Sequence, residues 1–194
     1  MITLFRNLRR DRNGVAIHEF GLLAPVLIVM LLGFFDIGHN MYANTMLYGS
    51  VQKAARDSAL EGASDTAIDA NVTQAVRDVV GNADLTFERT AYSSFTAVSK
   101  AEEFTDLNGD GSCNNGEPFE DANANAVWDR DQGQAGMGGA RDAIVYNVTI
   151  KYPRQFPIAP LIGLATHHET TATTVLRNQP FGDRIDRAVV GNCP

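Results

Sequence analysis

The sequence predicts an α+β protein with a long N-terminal transmembrane and stalk helix, a second short helix, a small antiparallel sheet and an acidic loop insertion. Three observations support this prediction. They are an apolar run near the N-terminus, an alternating pattern over residues 144–152 with large apolar residues at every second position, and an acidic segment rich in Asn and Gly at 102–132. A chain of 194 residues has room for one modest domain beside such an anchor.

The N-terminal region predicts a single-pass membrane anchor at residues 15–36. Ile17–Phe35 is about long enough to cross a hydrocarbon core of ~30 Å as a helix, and Phe20–Phe35 carries no charge. Residues 1–14 hold four arginines against one aspartate, a net +3, so the rest of the chain carries −10 and the total is −7. The basic end therefore stays in the cytoplasm, and the acidic remainder is exported and disfavours nucleic acid as a partner. A buried core helix is the alternative, which the all-round apolar surface disfavours.

The helix is expected to continue beyond the membrane as a stalk over residues 37–62. No proline interrupts Asp36–Glu61, and Gly62 is a suitable stop. Residues at three- and four-residue steps predict one stripe along this helix: Ile37, Met41, Thr45, Tyr48, Gln52, Ala55 and Ala59.

The remaining residues, 63–194, predict an α+β domain. Ser64 or Asp65 can cap a second helix, whose apolar face would contain Ile68, Val72, Ala75, Val76 and Val79. Strands are predicted at 144–152, where apolar and polar residues alternate, and at the Thr-rich segments 85–92 and 169–176. A short sheet packed on the stalk would cover the apolar faces of both.

Two cysteines, Cys113 and Cys193, lie in the exported part of the chain. Disulfides persist outside the cytoplasm, so one bridge is the favoured interpretation. Two free thiols are the alternative.

The segment 102–132 contains nine acids against Arg130 alone, and its first part predicts a calcium loop. Residues 106–117 match the pattern D-x-[DN]-x-[DN]-G-x5-E of the EF-hand loop. In that pattern side-chain oxygens, one carbonyl and a closing bidentate Glu bind Ca²⁺. The predicted ligands are Asp106, Asn108, Asp110, Ser112 through its carbonyl, and Glu117.

A second, less complete loop follows. Its predicted ligands are Asp121, Asn123, Asn125, Val127 through its carbonyl, and Asp129. Ala126 stands at the position of the Gly, and Gln132 at the position of the closing Glu, so that Asp131 or Glu120 would have to complete the site. A solvated acidic loop without metal is the alternative for both loops.

Residues 14–20, Gly-Val-Ala-Ile-His-Glu-Phe, resemble the processing segment of type IV prepilins, and Glu19-Phe20 resembles the tight-adherence (Tad) branch. The resemblance implies cleavage after Gly14 by a prepilin peptidase, with Val15 as the first mature residue and Glu19 as the fifth. Residues 176–181, Leu-Arg-Asn-Gln-Pro-Phe, are similar to the Arg-Asn-Glu-Pro-aromatic ending of TadE-like pseudopilins, although Gln179 replaces the usual Glu.

The position of Glu19 has a physical reason that is independent of the resemblance. A carboxylate within an apolar membrane helix is costly and is usually partnered. An α-amino group at Val15, about one turn away, would be a suitable cation, and it exists only after cleavage. The alternative is an interfacial Glu19 solvated by headgroups.

The resemblance implies a structural subunit, a TadE-like minor pilin or pseudopilin, and not an enzyme. Residues 1–14 would be its leader, and its partners would be the peptidase, other pilin or pseudopilin subunits and the bacterial inner membrane, with the C-terminal domain in the periplasm. The alternative is a bitopic envelope protein whose calcium-binding domain binds a surface or a partner protein. Only the first interpretation requires cleavage after Gly14.

Overall fold

The computed structural model describes residues 14–58, 64–156, 158–177 and 189–194. Its first element, α1 (Gly14–Asp57), is one continuous helix of 44 residues. Within the described ranges it is the one helix long and apolar enough to cross a membrane, and its apolar part is almost wholly exposed. The predicted long N-terminal helix is therefore confirmed. The predicted stop at Gly62 and the leader residues 1–13 lie outside the described residues.

The buried face of α1 is not the stripe that the sequence predicts. The helix buries Ala43, Leu47, Val51 and Ala54, at steps of three and four residues. Ile37, Met41, Thr45, Tyr48 and Gln52 of the predicted stripe are exposed instead. Small and medium side chains on the buried face allow close packing, whereas the larger apolar side chains remain on the outside of the chain.

The second helix, α2 (Asp65–Arg77), begins after Ser64 as predicted. Ser64 has extended backbone angles, and its carbonyl accepts the amide of Ile68 at 2.9 Å. Ile68, Val72 and Val76 are buried, so the period of the predicted apolar face is confirmed.

Within the described ranges, six strands form two sheets. The main sheet has the order β3 (Gln134–Ala135), β1 (Asp84–Tyr92), β4 (Ala143–Pro153) and β5 (His167–Arg177). β1 and β4 are antiparallel, with Asp84 opposite Lys151 and Tyr92 opposite Ala143. The second sheet pairs β2 (Pro118–Asp121) with β6 (Val189–Asn192), also antiparallel. The three predicted strands are confirmed as β1, β4 and β5, and the small β2–β6 sheet was not predicted.

The chain divides into two compact units. One contains α1 as far as Tyr42 together with Pro153–His168, and the other contains Ala43–Tyr152 and Glu169–Pro194. The second unit holds the hydrophobic core, in which α1 and α2 supply residues that pack with the inward face of β4. The β4 residues of this core, each fully buried, are Ile144, Tyr146, Val148, Ile150 and Tyr152.

A polar cluster joins α2 to the sheet within this core. Both terminal guanidinium nitrogens of Arg89 donate hydrogen bonds to the carboxylate of Asp69. The Tyr146 hydroxyl donates a hydrogen bond to the same carboxylate at 2.6 Å. The guanidinium carbon also lies 4.4 Å from the centroid of the Tyr146 ring, a cation–π distance. Burial, and after it the neighbouring Asp69 carboxylate, raises the pKa of Tyr146. The phenol therefore stays protonated and donates its hydrogen bond to Asp69.

Candidate functional site

The first acidic loop, residues 106–117, folds around its own side-chain oxygens. The Asp106 carboxylate accepts the amides of Gly109 at 2.5 Å and Gly111 at 2.8 Å. The Asn108 side-chain oxygen accepts the amide of Asp110, and the Asp110 carboxylate accepts that of Ser112, both at 2.8 Å. Alternate side chains are thereby turned toward the inside of one tight loop.

Glu117 closes this loop from its last position. One carboxylate oxygen accepts the amides of Leu107 at 2.8 Å and Asn108 at 3.3 Å, and the other accepts the amide of Asn114 at 3.3 Å. The side chain is only 2% exposed. Both oxygens are therefore fixed at the start and the end of the loop, which is the position that a bidentate calcium ligand requires.

Backbone geometry explains the glycines of the first loop. Gly109 has a φ of +79° and Gly111 a φ of +75°, in the left-handed region that favours glycine. The loop is also attached to the C-terminal tail. Cys113 and Cys193 are disulfide-bonded with their Cα atoms 5.3 Å apart, and the Cys193 amide donates to the Glu117 carbonyl at 2.8 Å.

The second loop repeats three of these four hydrogen bonds; the fourth differs, because the other Asp121 oxygen accepts the amide of Asn125 at 3.1 Å, one residue later than in the first loop. The Asp121 carboxylate accepts the amide of Ala126 at 2.8 Å, as Asp106 accepts that of Gly111. The Asn123 side-chain oxygen accepts the amide of Asn125 at 3.1 Å, and the Asn125 side-chain oxygen accepts that of Val127 at 2.7 Å. The two loops therefore present their first, third and fifth side chains in the same way.

The residue that closes the second loop comes from outside it. Glu102 accepts the amide of Ala122 at 2.9 Å with one carboxylate oxygen and that of Asp129 at 3.0 Å with the other. These are the second and ninth positions of the loop, the same two positions whose amides Glu117 accepts in the first loop. Neither Asp131 nor Glu120, considered from the sequence, occupies this place. Asp131 instead accepts the Tyr92 hydroxyl at 3.0 Å.

Backbone pairing places Glu102 at the second loop. Its amide donates to the Asp129 carbonyl at 3.0 Å, and the Gln132 amide donates to the Lys100 carbonyl at 2.9 Å. The Trp128 indole nitrogen also donates to the Glu102 carbonyl at 2.9 Å. The segment before the first loop thus runs beside the end of the second. The one sequence signal for this role is a pair of acids, Glu102 and Glu103, that stands between Ala101 and Phe104 just before the motif.

The backbone of the second loop also repeats that of the first, without its glycines. Ala124 has a φ of +58° and Ala126 a φ of +65°, at the positions equivalent to Gly109 and Gly111. A Cβ atom in the left-handed region costs roughly 1–2 kcal/mol, so two alanines there need compensation from elsewhere in the fold.

Two carboxylates of the loops and the closing carboxylate of Glu102 are withdrawn from solvent. Glu117, Glu102 and Asp121 are 2%, 3% and 4% exposed. The ion pairs that the described ranges contain do not include any of them. Burial raises the pKa of Glu102, whereas the Asn114 side-chain hydrogen bond lowers the pKa of Asp110. Buried carboxylates are costly without a cation, and each loop is thus a place where a cation would relieve that cost.

The donor set of each loop suits a hard cation with many oxygen ligands. Among the described residues, no three His, Cys, Asp or Glu side chains form a metal-binding group by themselves. A cation would therefore also need the amide oxygens of the Asn residues and the carbonyls of Ser112 and Val127. Ca²⁺ takes six to eight oxygens of these kinds in a flexible geometry, so the residues fit calcium.

The processing segment stands at the start of α1. The helix begins at Gly14, and the side chains of Glu19 and Phe20 are exposed on it. The ending at 178–181, similar to that of TadE-like pseudopilins, lies outside the described residues.

The fold defines a class of protein in which one long apolar N-terminal helix, of a kind that fits a single-pass membrane anchor, precedes a small α+β domain. Residues 14–59 match the model of a particular family, described as TadE-like protein. This match confirms the resemblance inferred from Gly14, Glu19 and Phe20, and the family suggests a structural component of a Tad pilus. No curated protein and no solved structure matches the chain significantly.

Proposed function

We propose that this protein is a minor pilin or pseudopilin of a Tad-type pilus or secretion machine, held in the bacterial inner membrane with its domain in the periplasm. The observation that carries the proposal is the TadE-like match over residues 14–59. This match covers the whole of α1 (Gly14–Asp57) and extends two residues beyond it. A basic leader precedes the start of that match at Gly14, and Glu19 follows five residues later, which is the order that a prepilin peptidase would need. Cleavage after Gly14 would leave Val15 as the N-terminus.

The exposed stripe of α1 supports assembly with other subunits. Ile37, Met41 and Tyr48 are large side chains that stay exposed on the helix beyond Asp36. A helix surface of this kind outside the lipid is stabilised when another helix covers it. We expect the α1 helices of other pilin or pseudopilin subunits to be that cover.

Cleavage is tested on the full chain, coexpressed with a Tad-type prepilin peptidase. Intact mass spectrometry should find that residues 1–14 have been removed. Gly14→Ala is the matched variant and should remain uncleaved, because the peptidase would then lack its recognition residue. A wild-type chain that keeps Met1 beside a processed control prepilin would overturn the proposed function.

Glu19 is proposed to act in assembly and not in cleavage. When helices pack side by side and exclude water, its carboxylate needs a cation at the same depth, and the Val15 amine of a neighbouring subunit would supply it. Glu19→Ala should therefore be inserted and cleaved but fail to support piliation, whereas Glu19→Asp should keep part of the function. Normal piliation by a processed Glu19→Ala protein would exclude this role.

The exported domain is further proposed to bind two calcium ions. Asp106, Asn108, Asp110, the Ser112 carbonyl and Glu117 would hold the first. Asp121, Asn123, Asn125, the Val127 carbonyl and Asp129 would hold the second, with Glu102 in place of the missing acid at Gln132. The support is the repeated hydrogen-bond pattern and the burial of Glu102, Glu117 and Asp121. Bound cations would neutralise these carboxylates and stiffen the segment to which the C-terminal tail is attached.

Thermal unfolding of the full chain in detergent micelles tests calcium binding. A ligand that binds only the native state stabilises it by mass action, by about 2.7 kcal/mol at a concentration 100-fold above its Kd. Ca²⁺ should raise the melting temperature and Mg²⁺ should raise it much less, because Mg²⁺ demands a stricter octahedral site. Equal melting in Ca²⁺ and in EDTA would remove calcium from the proposal.

A further inference from the structure

The connection between β4 and β5 is unusually apolar for a loop between two strands. Residues 154–166 read Arg-Gln-Phe-Pro-Ile-Ala-Pro-Leu-Ile-Gly-Leu-Ala-Thr, with Arg154 as the one charged residue. Surface connections are normally polar, because an exposed apolar loop gains nothing from water. A loop of this composition is expected where its surroundings are apolar.

The loop packs on the last apolar turn of α1, within the same compact unit. The rings of Phe156 and Phe35 are stacked with their centroids 6.1 Å apart. Ile158 is buried and its Cδ1 atom would lie 3.7 Å from a Cβ atom placed on Gly33. Gly33 and Phe35 both precede Asp36, the residue at which the apolar run ends. The loop thus reaches the depth of the membrane-spanning segment.

The charges at this position cancel. Arg154 forms an ion pair with Asp36, whose side chain is 4% exposed, and the Asn40 amide also donates to Asp36 at 3.2 Å. The Arg154 Nε donates to the Ala165 carbonyl at 3.0 Å, which ties the guanidinium to the far end of the loop. Because the cation of the loop is paired with the first acid after the apolar run, the loop can approach an apolar medium without carrying a net charge.

An apolar surface remains on the outside of the loop. Gly163 has a φ of +73°, and after this turn the Leu164 amide donates to the Ala159 carbonyl at 2.9 Å. Leu164 is 48% exposed, and Pro160 and Ala165 are exposed as well. Phe156, in the same loop, contacts Phe35, which belongs to the exposed apolar surface of α1.

We propose that residues 154–166 form a membrane-seated loop, which inserts its outer surface into the outer leaflet of the bilayer that α1 crosses. Ile17–Phe35 rises roughly 28 Å at 1.5 Å per residue, so a span starting at Ile17 ends near the outer boundary of a hydrocarbon core of ~30 Å. A loop that contacts Gly33 and Phe35 then lies at that boundary, with the Asp36–Arg154 pair at headgroup level. This inference rests on the proposed membrane anchoring of α1.

Site-directed spin labelling of the full chain, in nanodiscs that hold one chain each, tests the loop. The native cysteines are bonded to each other, so a single introduced cysteine is the one thiol available for labelling. Labels are placed by Leu164→Cys in the loop, by Val26→Cys in the span and by Lys100→Cys at an exposed position of the domain. Collision with oxygen, which concentrates in lipid, is compared with collision with a water-soluble nickel complex.

The Leu164→Cys label should show an oxygen-to-nickel collision ratio several-fold above that of Lys100→Cys, and below that of Val26→Cys, which lies deeper in the span. A ratio equal to that of Lys100→Cys, while Val26→Cys reports lipid, would overturn the loop inference alone. A Val26→Cys label accessible to nickel would overturn the membrane anchoring on which the inference rests. If the Leu164→Cys label is accessible to nickel in one-chain discs and protected from both reagents when several chains share a disc, a second copy covers the loop and lipid insertion is wrong.

Discussion

The two acidic loops reach the same geometry from different arrangements of the chain. The first, residues 106–117, is closed by its own Glu117, and it uses Gly109 and Gly111 at its two left-handed positions. The second is closed by Glu102, which precedes both loops, and it holds alanine at the two equivalent positions. The comparison teaches that the first loop is a local structure, whereas the second depends on the fold to bring its closing carboxylate into place.

The disulfide should affect the two loops unequally, and its removal should give the largest effect. A disulfide that joins residues 80 positions apart contributes roughly 4–5 kcal/mol to the free energy of unfolding in the chain-entropy model, and often less in practice. Cys113→Ser with Cys193→Ser should therefore lower the melting temperature strongly. It should also weaken calcium binding at the first loop, which contains Cys113.

The unequal effect is measured in backgrounds that retain one loop each. The double serine variant is combined with Glu102→Gln, which leaves the first loop, or with Glu117→Gln, which leaves the second. The calcium affinity of the first loop should fall, and that of the second should stay within about twofold of its value with the bridge intact. Equal losses in both backgrounds would contradict a local coupling of the tail to the first loop. Thiol counting on exported, unreduced wild-type protein should find no reactive thiol.

The closing glutamates provide the most direct comparison between the loops. Glu117→Gln and Glu102→Gln keep the side-chain shape, but each places an amide group against backbone N–H donors and removes one charge. Each should eliminate the calcium-dependent stabilisation of its own loop, about 2–3 kcal/mol at a calcium concentration 100-fold above Kd. Glu103→Gln, an exposed acid in the same segment, is the control and should behave as wild type. Melting in Ca²⁺ and in EDTA gives the difference for each variant.

Glycine exchange tests the backbone part of the comparison and should give the smallest effect. Ala126→Gly should stabilise the calcium-free protein by about 0.5–1 kcal/mol, because relief of the left-handed strain exceeds the added entropy of glycine in the unfolded chain. Gly111→Ala, the reciprocal change, should destabilise by about 0.5–1 kcal/mol, the same difference with the opposite sign. Ala101→Gly lies outside the left-handed positions and should destabilise slightly. Destabilisation by Ala126→Gly would show that the second loop does not hold that geometry in solution.

Local patterns in the sequence predict much of this fold. The alternation in 144–152 predicts β4 because one face of the strand is fully buried, and α2 follows from Ser64 and its apolar period. The buried face of α1 could not be found in this way. Its residues are mostly small, and the large apolar residues Ile37 and Met41 mark the exposed face instead.

Long-range pairing explains what the sequence could not predict of the candidate site. The first loop is a contiguous motif, so its proposed ligands can be read in order. Glu102 is recognisable only after residues 100–102 are placed beside 129–132, and β6 contains four residues with no pattern of their own. Each depends on contacts between distant segments, which periodicity within a short window does not contain.

The stoichiometry of calcium tests the comparison most directly. Native mass spectrometry of the full chain, released from detergent micelles after equilibration with Ca²⁺, counts the bound ions. The wild-type chain should carry two Ca²⁺ ions, Glu102→Gln and Glu117→Gln one each, and the double variant none. One ion in the wild type that persists in Glu102→Gln would show that Glu102 does not close a second site. A wild-type chain without calcium would contradict both sites.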